Sequence, residues 1–536
     1  MHVEGRGRTI GWWTLYAALI VAAAFRLPVL YDEAYYWTWS RTLASSYVDH
    51  PPGIAYILRA FTTVLGDGYL GLRTPALMAM GIVGFTCWVS ARRLSTPETR
   101  GRAGELAIAT LGGSLMFGLG YLASTPDPYQ GAILSLGACF LIDALGEHDG
   151  TPARRGSAFG ASFCFLAAVL IKLSSFAVLI GVVVGLVSHP KGRRLLRAPG
   201  FMAGAISALF LGLPWLSAEW MAIAGSVASA ASAATVDTPR AWTLAGMDVG
   251  RSAGMTAGAA ASAAFQWARV AHGHPARGLV AVPLVLGAMM LTFGPLTTLS
   301  LGRLSVATLK PRVWKHDHPA HRALLWGSAV LLLACMGAAW LGAGELNWPM
   351  PALITAAPVI AARVARDPPA HRRWFAWSTR VFTGLVMVLL VHVVHPFLPM
   401  EAGRDRTLRS AGFDTVTHAV EVVARKEGVK AVLVDRYQLA SMLRYHSLDR
   451  LKVVERGRAR RSQYDVWPRP RLCPGDRVLV VGLGPGVASE GIERQGEERV
   501  IERRRGDRRV GAFYWALARV ARPMFGDGCP LEAEVR

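Results

Sequence analysis

The chain has 536 residues, of which 52% are hydrophobic and only 18% charged, and its mean hydropathy is +0.32. A soluble chain of this length divides into domains richer in charge. Here the apolar residues gather into runs such as 201–216 and 381–394, which excludes an ordinary soluble class. The formal net charge of +22 would suit a nucleic-acid binder, but many Lys and Arg residues lie between the apolar runs, the pattern that orients membrane proteins.

In chain order, the apolar lengths predict about eleven spanning helices, at 11–30, 71–91, 104–122, 129–146, 157–171, 174–188, 201–219, 278–302, 323–342, 349–364 and 375–397. The first run contains Ala22-Ala23-Ala24, similar to a signal-peptide cleavage site, yet the many later spans favour an uncleaved helix. The fifth and sixth are short and are open to being one kinked or re-entrant hairpin.

Basic residues fall in phase with these spans. Arg6 and Arg8 precede the first. Arg92, Arg93, Arg100 and Arg102 follow the second, and Arg154 and Arg155 the fourth. Lys191, Arg193, Arg194 and Arg197 follow the sixth; Lys310, Arg312 and Lys315 the eighth; Arg363, Arg366, Arg372 and Arg373 the tenth. This predicts a multi-pass protein of the inner membrane, its N-terminus cytoplasmic and its C-terminal region outside.

The connections assigned to the outside hold Asp32, Glu33, Asp127, Lys172 and Glu345. Ionisable groups at the ends of spans are functional candidates by default in a membrane protein. The first connection reads Tyr31-Asp32-Glu33-Ala34-Tyr35-Tyr36-Trp37-Thr38-Trp39-Ser40 and later Asp49-His50-Pro51-Pro52-Gly53. Its aromatic residues suit a helix lying at the membrane–water interface. Asp32 also reads as a helix N-cap, Glu33 as a first-turn charge, and His50 before two prolines as a turn residue. Adjacent carboxylates on a helix point about 100° apart, so one base with one orienting group is expected rather than a facing pair.

Beyond 400 the chain changes character. Strand-like runs at 430–434 and 477–481 flank a helical segment at 436–445, which predicts a small α/β domain over 401–536 behind a transmembrane domain over 1–400. Its arginines, among them Arg456, Arg458, Arg460, Arg461 and Arg503–Arg505, suit a solvated face or one leaning on anionic headgroups. Cys87, Cys139, Cys164 and Cys335 lie in apolar runs. Cys473 and Cys529 lie in the polar region, and their pairing there is open. No cysteine spacing matches a metal or haem site.

The segment 32–40 followed by Asp49-His50-Pro51-Pro52 resembles the first external loop of bacterial family 39 glycosyltransferases. These belong to the GT-C superfamily with protein O-mannosyltransferases and the lipid A aminoarabinose transferase. Thr125-Pro126-Asp127 looks like a second external motif and Glu345-Leu346-Asn347-Trp348-Pro349-Met350-Pro351-Ala352 like another. Asp435-Arg436-Tyr437-Gln438-Leu439-Ala440-Ser441 and Arg461-Ser462-Gln463-Tyr464-Asp465-Val466-Trp467-Pro468 resemble stretches of the C-terminal region. Gly287-Ala288-Met289 departs from the expected Gly-Gly-Gln, and Leu216-Ser217-Ala218-Glu219 matches poorly.

The resemblance implies a GT-C-type helical membrane protein whose donor is a sugar on a polyprenyl phosphate, transferred with inversion. The acceptor is a lipid, protein or glycan hydroxyl. Such a reaction needs a base for the acceptor hydroxyl, for which Asp32 is the candidate with Glu33 beside it, and cations for the departing phosphate, for which Arg73 and Lys172 are candidates. Snorkelling at the interface is the plain alternative for both cations. Asp127, Glu345, Asn347, His50 and Tyr36 are candidate substrate contacts. No cofactor is required, though carboxylates at these positions leave a divalent cation open. A flippase for a lipid-linked sugar is the competing class. Transporters usually hold ionisable groups near the midplane beside broken helices in repeats, and no repeat is evident.

Overall fold

The computed structural model of the chain describes residues 2–146, 152–234, 278–309, 318–341, 345–401, 404–456, 462–484, 491–525 and 529. The basic residues Lys310, Arg312, Lys315, Arg458, Arg460 and Arg461, the side chains of Arg6 and Arg8, and most of the fourth external connection lie outside that description.

The apolar runs fold as helices. In chain order they are α1 (His2–Arg26), α2 (Tyr31–Arg41), α3 (Gly53–Leu65), α4 (Tyr69–Arg93), α5 (Arg100–Gly112), α6 (Leu115–Gly118), α7 (Pro126–Ala144), α8 (Pro152–Ala167), α9 (Ser175–Val187), α10 (Pro190–Leu196) and α11 (Pro199–Ala234). After them come α12 (Gly278–Phe293), α13 (Pro295–Ala307), α14 (Pro319–Trp340), α15 (Met350–Val364) and α16 (Pro369–Val394). The expected spans fall on helices, with 104–122 and 278–302 each divided between two. Among the described residues α4, the 199–221 part of α11, α14 and α16 are each long and apolar enough to cross a bilayer alone, and bent pairs raise that number to eight.

Two expected spans are bent. The run 278–302 is not one straight helix, because α12 and α13 turn by 119° at Gly294, whose φ is +87°, immediately before Pro295; the run 104–122 is broken too, α5 bending by 74° from the 115–122 segment. A left-handed residue followed by proline ends one helix and starts another. The short runs at 157–171 and 174–188 are separate helices rather than a hairpin packed on itself. The first lies on α7 and α11, the second on α14.

α15 occupies the centre. Nearly every residue from Met350 to Val364 is buried, against α4, α5 and α14, as a helix apolar on all sides up to Arg363, with Thr355 its one polar residue before that, requires. The α9–α14 contact is tighter still. A Cβ at Gly181 would stand 2.2 Å from the Trp326 carbonyl oxygen and one at Gly185 would stand 2.5 Å from the Ala323 Cα, so only glycine permits this approach.

After α16 come α17 (Phe413–Lys426), β1 (Ala431–Val434), α18 (Tyr437–His446), β2 (Val453–Glu455), β3 (Arg477–Gly482), β4 (Ile492–Arg505) and β5 (Arg508–Val520). The sheet order is β2-β1-β3-β5-β4. β1 runs parallel to β2 and β3, and β5 antiparallel to β3 and β4. The expected strands and helix at 430–434, 477–481 and 436–445 are present. The long β4–β5 hairpin was not expected. Cys473 and Cys529, 56 residues apart, form a disulfide with their Cα atoms 5.5 Å apart.

The helix ends that carry the basic clusters meet at one end of the bundle. There Arg93 pairs with Asp143 at 2.5 Å, Arg366 donates to the Leu94 carbonyl at 2.8 Å, and Arg322 to the Ser188 carbonyl at 3.3 Å. The C-terminal sheet domain lies at the other end, where α18 packs on α2.

Candidate active site

α1 and α2 meet at a 70° bend through Leu27-Pro28-Val29, so α2 turns off across the end of the bundle. Successive residues at its start point about 100° apart and meet different surroundings. Asp32 is exposed, whereas Glu33 is fully buried. Glu33 reaches back to the Leu30 N–H at 2.9 Å and accepts from the Ser124 N–H at 3.0 Å. Its two oxygens also receive Arg73 Nε and Nη2 at 2.7 and 2.6 Å.

Arg73 is itself fully buried and donates further to the carbonyls of Ala24 and Pro28. In this structure the Arg73 guanidinium is engaged by Glu33 and by the α1–α2 bend. Glu33 is likewise buried and paired.

A second cluster joins three candidates from distant parts of the chain. Pro126 and Asp127 start α7, Lys172 follows a short 3-10 turn after α8, and Asn347 precedes α15. Lys172 Nζ donates to Asp127 Oδ1 at 2.7 Å, and Asn347 Nδ2 to Asp127 Oδ2 at 3.1 Å. An ammonium has three donors and Asp127 takes one. Pro at the first helical position and a carboxylate in the first turn are what a helix N-terminus favours, so local sequence and site coincide here.

Tyr36 connects the parts. It lies one turn beyond Asp32 on the same face of α2, its ring is 6.0 Å from His50, and Asp32, Asp49 and Asp127 are all within electrostatic reach of its hydroxyl. Glu345 is exposed and accepts from the Trp348 indole at 3.0 Å, which orders the turn before α15.

Several contributors escaped the sequence expectations. Tyr35 donates to Asp49 at 2.7 Å and accepts the Gln463 N–H at 2.7 Å, while the Gln463 side chain accepts the Val48 N–H at 2.9 Å. The C-terminal domain is thereby clamped onto the first loop. Asp49 and Gln463 both stood within the recognised motifs, but nothing local marked them as partners. Glu219 is the other addition. It is buried and accepts from Ser46 and Trp215 at 3.1 Å each, and its second oxygen has no partner among the described residues. Among those residues no group of three His, Cys, Asp or Glu is placed to hold a metal ion.

Fold and site together define a multi-pass membrane protein with a charged, partly buried site at one end of its helices, beneath a small sheet domain. Residues 49–218 match the family model of dolichyl-phosphate-mannose-protein mannosyltransferase. The lipid A galacturonosyltransferase RgtD of Rhizobium johnstonii is 35% identical over 88 residues, 16% of this chain and 18% of that relative's length.

ArnT of Cupriavidus metallidurans, in a crystal structure bound to undecaprenyl phosphate, superposes with a TM-score of 0.57 at 14% identity. The match covers 95% of this chain and 98% of ArnT. The apo form of the same protein gives 0.55 at 15% identity with the same coverage. The chain has the fold of ArnT.

Proposed function

We propose that this protein is a glycosyltransferase that moves a sugar from a polyprenyl-phosphate donor to an acceptor hydroxyl on the outer face of the inner membrane. The observation that carries the proposal is the meeting of Lys172, Asp127 and Asn347 at the same end of the bundle as the exposed Asp32. Undecaprenyl phosphate on the ArnT neighbour and the names of the mannosyltransferase and galacturonosyltransferase matches support it. The outward assignment is supported by the basic residues gathered at the opposite end and by the Cys473–Cys529 disulfide, which persists in oxidising compartments.

In the proposed reaction the acceptor oxygen attacks the anomeric carbon from the face opposite the phosphate. The carbon–oxygen bond to phosphate breaks, and polyprenyl phosphate leaves with the electron pair. Asp32 takes the acceptor proton. A phosphate leaves as a stable anion, so no strong acid is needed; a nearby cation offsets the charge that develops, and Lys172 is the candidate. Glu33 and Arg73 act through position: they fix the start of α2 and so the direction of Asp32. Tyr36 and His50 line the space beside it.

The test is transfer of labelled sugar from purified polyprenyl-phosphate donors in liposomes, comparing the intact protein with Asp32→Asn. Removing a general base lowers transfer by about 10²–10⁴-fold. Equal transfer by both would remove Asp32 from the role and keep the class. Movement of the lipid-linked sugar across the bilayer with no transfer would replace the class by a flippase.

A further inference from the structure

At the end of the bundle away from Asp32, a groove of about 1280 Å³ runs between α1, α5 and α16. Its floor is apolar, with Trp13, Leu106 and Trp377, and four arginines border it: Arg102, Arg372, Arg373 and Arg380. Glu105 is the single carboxylate on the lining. Among the described residues none of the four arginines pairs with a carboxylate; Arg372 donates only to the Asp367 carbonyl, at 3.4 Å.

Arg380 makes the groove more than a basic rim. It is exposed on α16 three turns beyond Pro369, about 16 Å of helical rise, and one turn past the exposed Trp377. Trp374 and Trp377 have the character of an interfacial belt, so Arg380 reaches below headgroup level on a surface open to lipid. A lone guanidinium there is expensive unless it snorkels or meets an anion.

The occupant follows from charge and shape. A second copy of this chain would bring its own basic clusters to this end and be repelled. Free phosphate would satisfy the arginines and leave the apolar floor wet. An amphiphile with an anionic head and an acyl chain satisfies both.

We infer that this groove binds an anionic glycerophospholipid, its phosphate held by Arg102, Arg372 and Arg380 and an acyl chain laid along Trp13, Leu106 and Trp377. The site is separate from the transfer site and does not depend on the proposed reaction.

The test uses the full chain, delipidated in neutral detergent, with dioleoyl-phosphatidylglycerol, dioleoyl-phosphatidylcholine or inorganic phosphate as probe. Native mass spectrometry reads retained lipid and thermal unfolding reads stabilisation. Phosphatidylglycerol is expected to be retained in preference to phosphatidylcholine. Each arginine removed should weaken it about fivefold, equivalent to about 1 kcal/mol, so Arg372→Ala with Arg380→Ala should lose about 25-fold.

Ala370→Trp, at an exposed position of the groove, should lower retention with every charge in place. Arg194→Ala, outside the groove, should leave it unchanged. Equal retention of both lipids, unchanged preference in the double variant and in Ala370→Trp, stabilisation by inorganic phosphate alone, or a dimer blocked by Ala370→Trp would each overturn the assignment. Arg380→Leu removes ambiguity from misfolding: it should fold and lose the preference, and a folded variant that keeps it also overturns the site.

Discussion

Arg73 and Glu33, 40 positions apart in the chain, meet as a two-bonded ion pair at 2.7 and 2.6 Å with neither side chain exposed. The pair joins the start of α4 to the start of α2 and, through the carbonyls of Ala24 and Pro28, fixes the bend between α1 and α2. Asp32 stands one residue away, so the direction of the candidate base is set by a contact it does not make itself.

Breaking this pair from one side leaves a buried charge uncompensated. Arg73→Ala or Glu33→Gln should therefore cost about 3–5 kcal/mol of stability. Arg73→Lys should not restore it, because an ammonium cannot reproduce the forked contact. Thermal unfolding of the purified variants checks this. Variants that unfold like the wild type but need more donor to reach half-maximal transfer would show that Arg73 serves the phosphate after all.

The Asp127 cluster should divide differently. Lys172→Ala removes the cation and leaves Asp127 with Asn347, and transfer should fall by about 10²–10³-fold, the usual cost of losing one charge-stabilising donor. Asn347→Ala removes a single hydrogen bond and should cost about tenfold. Steady-state kinetics on reconstituted protein separate the roles: a rise in donor KM alone marks ground-state binding, and an equal fall in kcat and kcat/KM marks stabilisation of the departing phosphate.

The spanning helices were legible because each needs an apolar run and little else; even the buried α15 announces itself as 13 residues without a charge, Met350 to Ala362. The α12–α13 turn was not, because an apolar window averages over Gly294-Pro295. β4 was hidden for the opposite reason. Its sequence, Ile-Glu-Arg-Gln-Gly-Glu-Glu-Arg-Val-Ile-Glu-Arg-Arg-Arg, has few apolar residues and no alternation, since much of it faces solvent. At the site, sequence order and shared side gathered Asp32, Asp127, Lys172 and Asn347. It gave no pairings, so the Arg73–Glu33 contact was not foreseen.

The disulfide offers a prediction that concerns the sheet domain alone. Linking Cys473 to Cys529 closes a long loop, and the chain-entropy model assigns such a link about 4 kcal/mol. Cys473→Ser with Cys529→Ser, or reduction of the wild type, should lower the unfolding temperature of the domain and expose it to protease. The helical bundle should keep its stability. Limited proteolysis followed by mass mapping distinguishes the two regions. Resistance equal to the wild type would mean that the cross-link contributes nothing to the folded domain.

His392 and Asp405 give the last prediction, at the join between bundle and sheet domain. His392 Nδ1 accepts the N–H groups of Phe397 and Leu398 at 3.1 and 3.2 Å, so its proton lies on Nε2, which donates to Asp405 Oδ2 at 3.0 Å. Burial alone would raise the pKa of Asp405, but bonds from the Thr407 hydroxyl and N–H, together with His392, outweigh it and hold the carboxyl below its ordinary value. A depressed carboxylate pKa adds stability above the unfolded value, and that stability is lost as the pH falls through the folded one. Asp405→Asn should accordingly be less stable than the wild type near neutrality by about 1–3 kcal/mol. The gap should close only below about pH 4, once the native carboxylate protonates. Unfolding of both proteins across pH 3–8 gives the difference directly, with the other carboxylates cancelling. A gap that stays constant down to pH 3 would assign the loss to packing rather than to the charge on Asp405.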